Sequence, residues 1–197
     1  MTAPMRFPPD WLETRTGAAS DLDLAVLLVN SYDSLDDPPD RLEDLRWWKA
    51  VLADVGHASL ARQLRDEDLE PLRALRAQLR EVFEARSVTA AAHTLNALMV
   101  EADAVLLLVT PDPASDTTEA ARLAAGVGRR GLSSLQARLP VAVAQHVARY
   151  GVSRLGTCAS DPCHCAFVDR TRGATKRYCC TWCNDRAAAR AYRKRHK

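Results

Sequence analysis

All six cysteines of this 197-residue chain lie between Cys158 and Cys183, and the first 157 residues contain none. They fall at 158, 163, 165, 179, 180 and 183, two close groups separated by a loop. A short chain supplies the four soft ligands of a tetrahedral ion in this way. Cys158 with Cys163 and Cys179 with Cys183 form the expected set, and the expected ion is one structural Zn²⁺. Cys180 competes for the third position, because Cys180 and Cys183 would make a tighter knuckle. His164, flanked by two cysteines, is a further donor, and an iron–sulfur cluster is the competing metal reading.

The rest of this segment supports a metal staple. A unit of roughly 45 residues with few large apolar side chains cannot be held by burial alone and needs a substitute for a core. Four thiolates close the coordination sphere, which leaves no open position for a catalytic water. Cys165 and Cys180 are surplus thiols, expected to be buried and unligated. The N-terminus has early prolines and no hydrophobic block, so no secretory signal is expected and the expected location is cytoplasmic. In a reducing compartment clustered cysteines are metal ligands more often than disulfides.

Charge divides the chain. Residues 151–197 carry eleven Lys/Arg against three Asp, whereas residues 1–150 are net acidic, and the whole chain is +2. A basic end on an acidic body is suited to a polyanion. The end closes on NDRAAARAYRKRHK, a good helix former. At about 100° per residue, Arg186, Arg190, Arg193 and Lys197 fall on one stripe about 60° wide, flanked by Lys194. Ala187, Ala188 and Ala191 occupy another side, expected to lie close against the knuckles. Arg170, Arg172, Lys176 and Arg177 form a basic loop between the cysteine groups. These nine cations are the expected DNA contacts.

Residues 1–150 read as a mainly helical domain, and 151–197 as a small four-cysteine unit with its basic helix. The fold class is mainly α, with a minor short-stranded element. Ser20 caps a helix running to Asn30; a second spans about 40–55 and stops at Gly56. A third opens at Asp68, and a fourth runs from Val88 to Val100. Ala104–Thr110 reads as a strand closed by Pro111. Helical patterning resumes near Asp116, is interrupted by glycines 126, 128 and 131, and returns from Pro140 to Tyr150. Residues 151–157 are a short hinge, so the two parts should pack together. The longest apolar runs have six residues, far short of the roughly 20 of a membrane helix. Trp47 and Trp48 are expected in the core.

The C-terminal residues resemble the CGNR-type zinc finger of bacterial proteins that carry an N-terminal ABATE domain, a family of stress-induced transcription regulators. Cys163, Phe167, Asp169, Arg177, Tyr178 and Cys179 follow the family's order, with Tyr178 where the family has Trp. The eponymous tetrad reads Cys183-Asn184-Asp185-Arg186, and the second cysteine pair is one residue closer than usual. The likeness extends through LAVLLVNSYD, DRLEDLRWWKAVLADVG and LRALRAQLREVF. It implies a DNA-binding regulator whose N-terminal domain senses a ligand or mediates assembly, with DNA, a small-molecule effector and a second copy of the chain as partners. Asn30, Arg73, Arg76 and Asn96 are the expected lining of an effector pocket. The competing reading is a zinc-stapled protein-interaction or redox-switch module. No nucleophile–base spacing, Gly-rich phosphate loop or open metal site marks an enzyme. His57, His93 and His146 are scattered and expected to be structural.

Overall fold

A computed structural model describes residues 17–110 and 121–196. Its elements in chain order are helices α1 (Asp21–Val29), α2 (Leu45–Asp54), α3 (Ala58–Gln63), α4 (Leu69–Glu84) and α5 (Val88–Glu101), followed by strands β1 (Leu106–Val109) and β2 (Arg122–Ala125). Helix α6 (Gly131–Tyr150), strands β3 (Leu155–Thr157) and β4 (Ala166–Val168), and helix α7 (Thr181–Arg195) complete it. The expected mainly helical class, with a minor short-stranded element, holds: the strands form only two antiparallel pairs, β1–β2 and β3–β4.

Helix α1 is the hub. Ser20 caps it by accepting from the Asp23 backbone amide at 3.2 Å. Every residue from Asp23 to Val29 is buried, because the helix packs on α4, α6 and β4 together. Burying a leucine such as Leu24 or Leu28 contributes about 1.5–3 kcal/mol, so this segment anchors the fold. Around it stand Leu72, Leu75, Leu79 and Val82 of α4, Leu95 of α5, and Leu135, Leu139 and Val143 of α6. Trp48 lies fully buried in the same core.

Three elements differ from expectation. The second helix starts at Leu45 rather than near 40, because Asp44 is its cap and accepts from Arg46 N at 2.7 Å. Residues 40–44 form the loop that α4 clamps. Helix α6 begins nine residues before Pro140 and runs through it. Leu135, Leu139, Val143 and Val147 make one buried stripe, and that packing outweighs the hydrogen bond proline removes. Gly131 permits the start: its φ is +50°, and its amide donates to Gln63 Oε1 at 2.8 Å. Strand β2 was not expected, and pairs with β1 from Leu106↔Ala125 to Val109↔Arg122. The expected helical patterning near Asp116 lies outside the described residues.

The segment after α6 is a short 3₁₀ turn leading into the β3–β4 hairpin. Strand alternation gives the hairpin two buried faces. Leu155, Ala166 and Val168 join the helical core, while Phe167 turns to the cysteines. Gly156 pairs with Phe167 across the hairpin, and a Cβ there would stand 2.9 Å from the Phe167 ring. Gly156→Val should therefore displace that ring and cost about 1–3 kcal/mol in chemical denaturation.

Candidate metal centre

The cysteines converge because three elements meet. Cys158 follows β3, Cys163 and Cys165 precede β4, and Cys179 and Cys183 flank the start of α7. The ladder continues past β3 through Cys158 N donating to Cys165 O at 2.9 Å, and Ala159 N reaches Arg177 O at 2.9 Å. A turn from Cys163 N to Ser160 O, also 2.9 Å, brings Cys163 back over Cys158.

The four sulfurs of Cys158, Cys163, Cys179 and Cys183 lie within 4.8 Å of one another, and all four residues are buried. Cys163 Sγ is 3.8 Å from Cys179 Sγ, which is 3.6 Å from Cys183 Sγ. A tetrahedron with Zn–S bonds of about 2.3 Å has S···S edges of about 3.8 Å, so the set is suited to one zinc. Hydrogen bonds from Cys158, Cys165 and Cys179 pull the Cys163 thiol far below its ordinary range, while burial, then the Cys163 charge, pushes Cys183 up. A divalent cation would replace those shared protons with one compensating charge.

Cys179 joins this cluster, and Cys180 does not. Cys180 is the N-cap residue of α7, half-buried, with its sulfur 3.7 Å from that of Cys179. Cys165 lies at the edge of the set, its sulfur within 4.8 Å of that of Cys163, and its thiol donates to Asp33 Oδ2 at 3.3 Å, linking the finger to the body. His164 is exposed, and its carbonyl, rather than its ring, is what the body holds, accepting from Arg80.

Helix α7 is fixed at its root alone; among its described residues only Cys183 is buried. The Arg186 guanidinium stands 4.6 Å from the Trp182 ring centroid. Its Nε donates to Ser160 Oγ at 3.1 Å, and its Nη2 donates to Ser160 O. Arg190 Nη1 donates to Asp161 O at 2.7 Å and lies 3.6 Å from the Asp161 carboxylate. The arginine stripe thus begins against the finger, while Ala188 and Ala191, expected there, are exposed. The reason is geometric: Cys183 and Arg190 are seven residues apart, within about 20° on the helix, so the metal-facing side is also the arginine side. Arg193, Lys194 and Arg195 are exposed at the far end, with no ion-pair partner among the described residues. Lys197 lies outside the described residues.

The basic loop is similarly divided. Arg170 pairs with Asp23, a fully buried aspartate of α1 that also accepts from Ser20 Oγ at 2.7 Å. Lys176 Nζ sits 5.3 Å from the Phe167 ring centroid, and Arg177 stacks over Tyr178 at 5.8 Å. Arg172 is exposed. Asp169 organises the loop. Burial opposes its charge, but hydrogen bonds from the Thr171 hydroxyl and from the Lys176 and Thr171 amides prevail and hold its carboxyl below the usual range.

Of the expected effector-lining residues, Asn30, Arg73 and Arg76 each bond a group of the protein itself. Asn30 brackets a single β4 residue: its Nδ2 donates to Ala166 O at 2.9 Å, and its Oδ1 accepts from Ala166 N at 2.7 Å. Arg73 Nε donates to Leu42 O at 2.9 Å. Arg76 makes a two-pronged pair with Asp40, the longer prong 2.9 Å. Asn96 is exposed on α5. Sequence reading missed Arg80, the next member of the α4 arginine row, which donates to Val29 O at 2.9 Å and His164 O at 3.0 Å. Its spacing from Arg73 and Arg76 was the available signal. Ser34 Oγ adds a bond to Pro162 O at 2.7 Å. The loop after α1 is therefore the seat of the finger. Asn30→Ala strands both polar groups of Ala166 and should cost about 2–3 kcal/mol, measurable by denaturant unfolding.

Two family profiles match. The CGNR zinc finger profile covers residues 154–196, and the ABATE profile, described as a putative stress-induced transcription regulator, covers residues 22–158. The chain belongs to the ABATE family. No curated protein matches it. In this ABATE member the CGNR finger retains Cys183 and Arg186 of the tetrad, with Asn184 and Asp185 at the two middle positions. The tetrad arginine spans from α7 to the Ser160 carbonyl, between the two cysteines of the first pair. The ABATE description is that of a transcription regulator rather than an enzyme. Among the described residues, no helix is long and apolar enough to cross a membrane.

Proposed function

We propose that this chain is a DNA-binding transcription regulator in which one structural zinc sets the direction of α7 and the helical body supplies regulation. Cys158, Cys163, Cys179 and Cys183 are its ligands in this reading. The observation that carries it is the division of labour along α7. Cys183, Arg186 and Arg190 fix its root, and Arg193, Lys194 and Arg195 are exposed with no ion-pair partner among the described residues. A rigid rod ending in unpaired cations suits phosphates, which position a protein, and a groove, where bases are read. Arg172 and Arg177 add exposed charge from the loop.

Selection of bound fragments from random and genomic DNA with zinc-loaded protein tests this. Enrichment of a defined motif at moderate salt is expected. Retention of an acidic protein partner and no DNA would instead favour the interaction-module reading.

A further inference from the structure

A cleft of about 510 Å³ lies between the start of α1, strand β2 and the C-terminal half of α6, and none of the cysteines lines it. Arg122, Arg138 and Arg149 line it against one carboxylate, Asp21. That carboxylate is taken, since Arg138 Nε donates to it at 3.2 Å and Nη2 donates to it as well. Arg122 and Arg149 have no carboxylate partner among the described residues. The rest of the wall mixes the polar Ser20 and Gln145 with Leu22, Leu123 and the Tyr150 ring, over which Arg149 sits at 5.1 Å. His146 stacks on Tyr150 with centroids 5.0 Å apart, and its Nε2 is shielded from solvent with no hydrogen-bond partner among the described residues.

Burial, then the nearby Arg170 and Arg154, lowers the His146 pKa, so the imidazole is neutral near pH 7 and its shielded nitrogen lacks a partner rather than a counter-ion. Unpaired arginines beside an aromatic wall select an anion on a flat apolar body.

We infer that this cleft binds a small aromatic carboxylate, its ring against Leu22 and Leu123 and its charge between Arg122 and Arg149. The inference rests on reading the body as the regulatory part. The position fits that role: Ser20 in the cleft wall bonds Asp23, and Asp23 pairs with Arg170 of the finger.

The test uses the full zinc-loaded chain without DNA, so its outcome is independent of whether α7 binds DNA. Benzoate, phenylacetate, indole-3-acetate and 1-naphthoate are each titrated by calorimetry beside the matching amide, with Tm recorded in parallel. At least one acid should bind with a Kd of about millimolar or tighter and raise Tm, while its amide binds about tenfold more weakly. Arg149→Gln and Arg122→Gln are solvent-facing changes that should leave the unliganded Tm in place, and each should weaken the acid about tenfold. Failure of all four acids, equal binding of acid and amide, or unchanged affinity in both variants would overturn the inference.

Discussion

Cys163→Ser strips the chain of its metal and unravels the finger while the helical body stays folded. Cys163 is fully buried and its sulfur packs at 3.8 Å from that of Cys179, so serine removes a soft donor from the centre of the set. Structural zinc is worth on the order of 10–16 kcal/mol in small fingers, more than the thin apolar packing of Phe167, Leu35 and Tyr178 around the cysteines can replace. Zinc measured after dialysis should fall from one per chain to a small fraction. Far-UV circular dichroism should lose the contribution of α7, 15 residues long. The loss does not stop cleanly at the finger. Leu155, Ala166 and Val168 belong to the body's own core, so the denaturation midpoint of the remaining helices should drop as well. A chelator should reproduce both effects in the unaltered chain, and a Cys163→Ser protein that retained full zinc would contradict the assignment.

The second large effect separates two groups of arginines on one helix. Replacing Arg193, Lys194 and Arg195 together with glutamine should reduce DNA affinity by about 10- to 1000-fold, without changing zinc content or Tm, because each side chain neutralises on the order of one phosphate. The slope of log K against log salt should flatten by roughly 0.9 for every phosphate that no longer meets a cation. Arg186→Ala should behave differently. It breaks the bonds to Ser160 and uncovers Trp182, so Tm falls and zinc is more easily extracted, and DNA binding weakens as a consequence. If the triple variant bound as tightly as the parent, α7 would not be the contacting element.

How much of this was legible in the sequence follows the range of the interactions. Local chemistry was readable: cysteine spacing, the Ser20 cap with Asp21 and Asp23 in the first turn, and the leucine period of α4 all act within a few residues. What depends on distant partners was not. Asn30 and the α4 arginines read as pocket polarity, yet Asn30, Arg73 and Arg80 bond backbone groups and Arg76 bonds Asp40, partners up to 136 residues away that no local pattern announces. Strand β2, Arg-Leu-Ala-Ala, shows no alternation and exists because β1 offers an edge. Pro140 read as a helix start because propensity outvotes a proline-containing pattern until the buried stripe on both sides is known. The inverted face of α7 is a different case. Its signal was present, since a helix whose Cys183 faces the metal must turn Arg190 the same way.

The central claim is that bound metal orients a cationic helix onto DNA. It is tested most directly by extracting metal stepwise from the full-length chain and measuring, in each fraction, both zinc by elemental analysis and the portion of protein competent to bind a selected duplex. The account predicts that the competent portion tracks zinc one for one and returns when the ion is restored. Tight, salt-sensitive binding by fully metal-free chain, or carefully purified protein that carries no transition metal while binding normally, would contradict it.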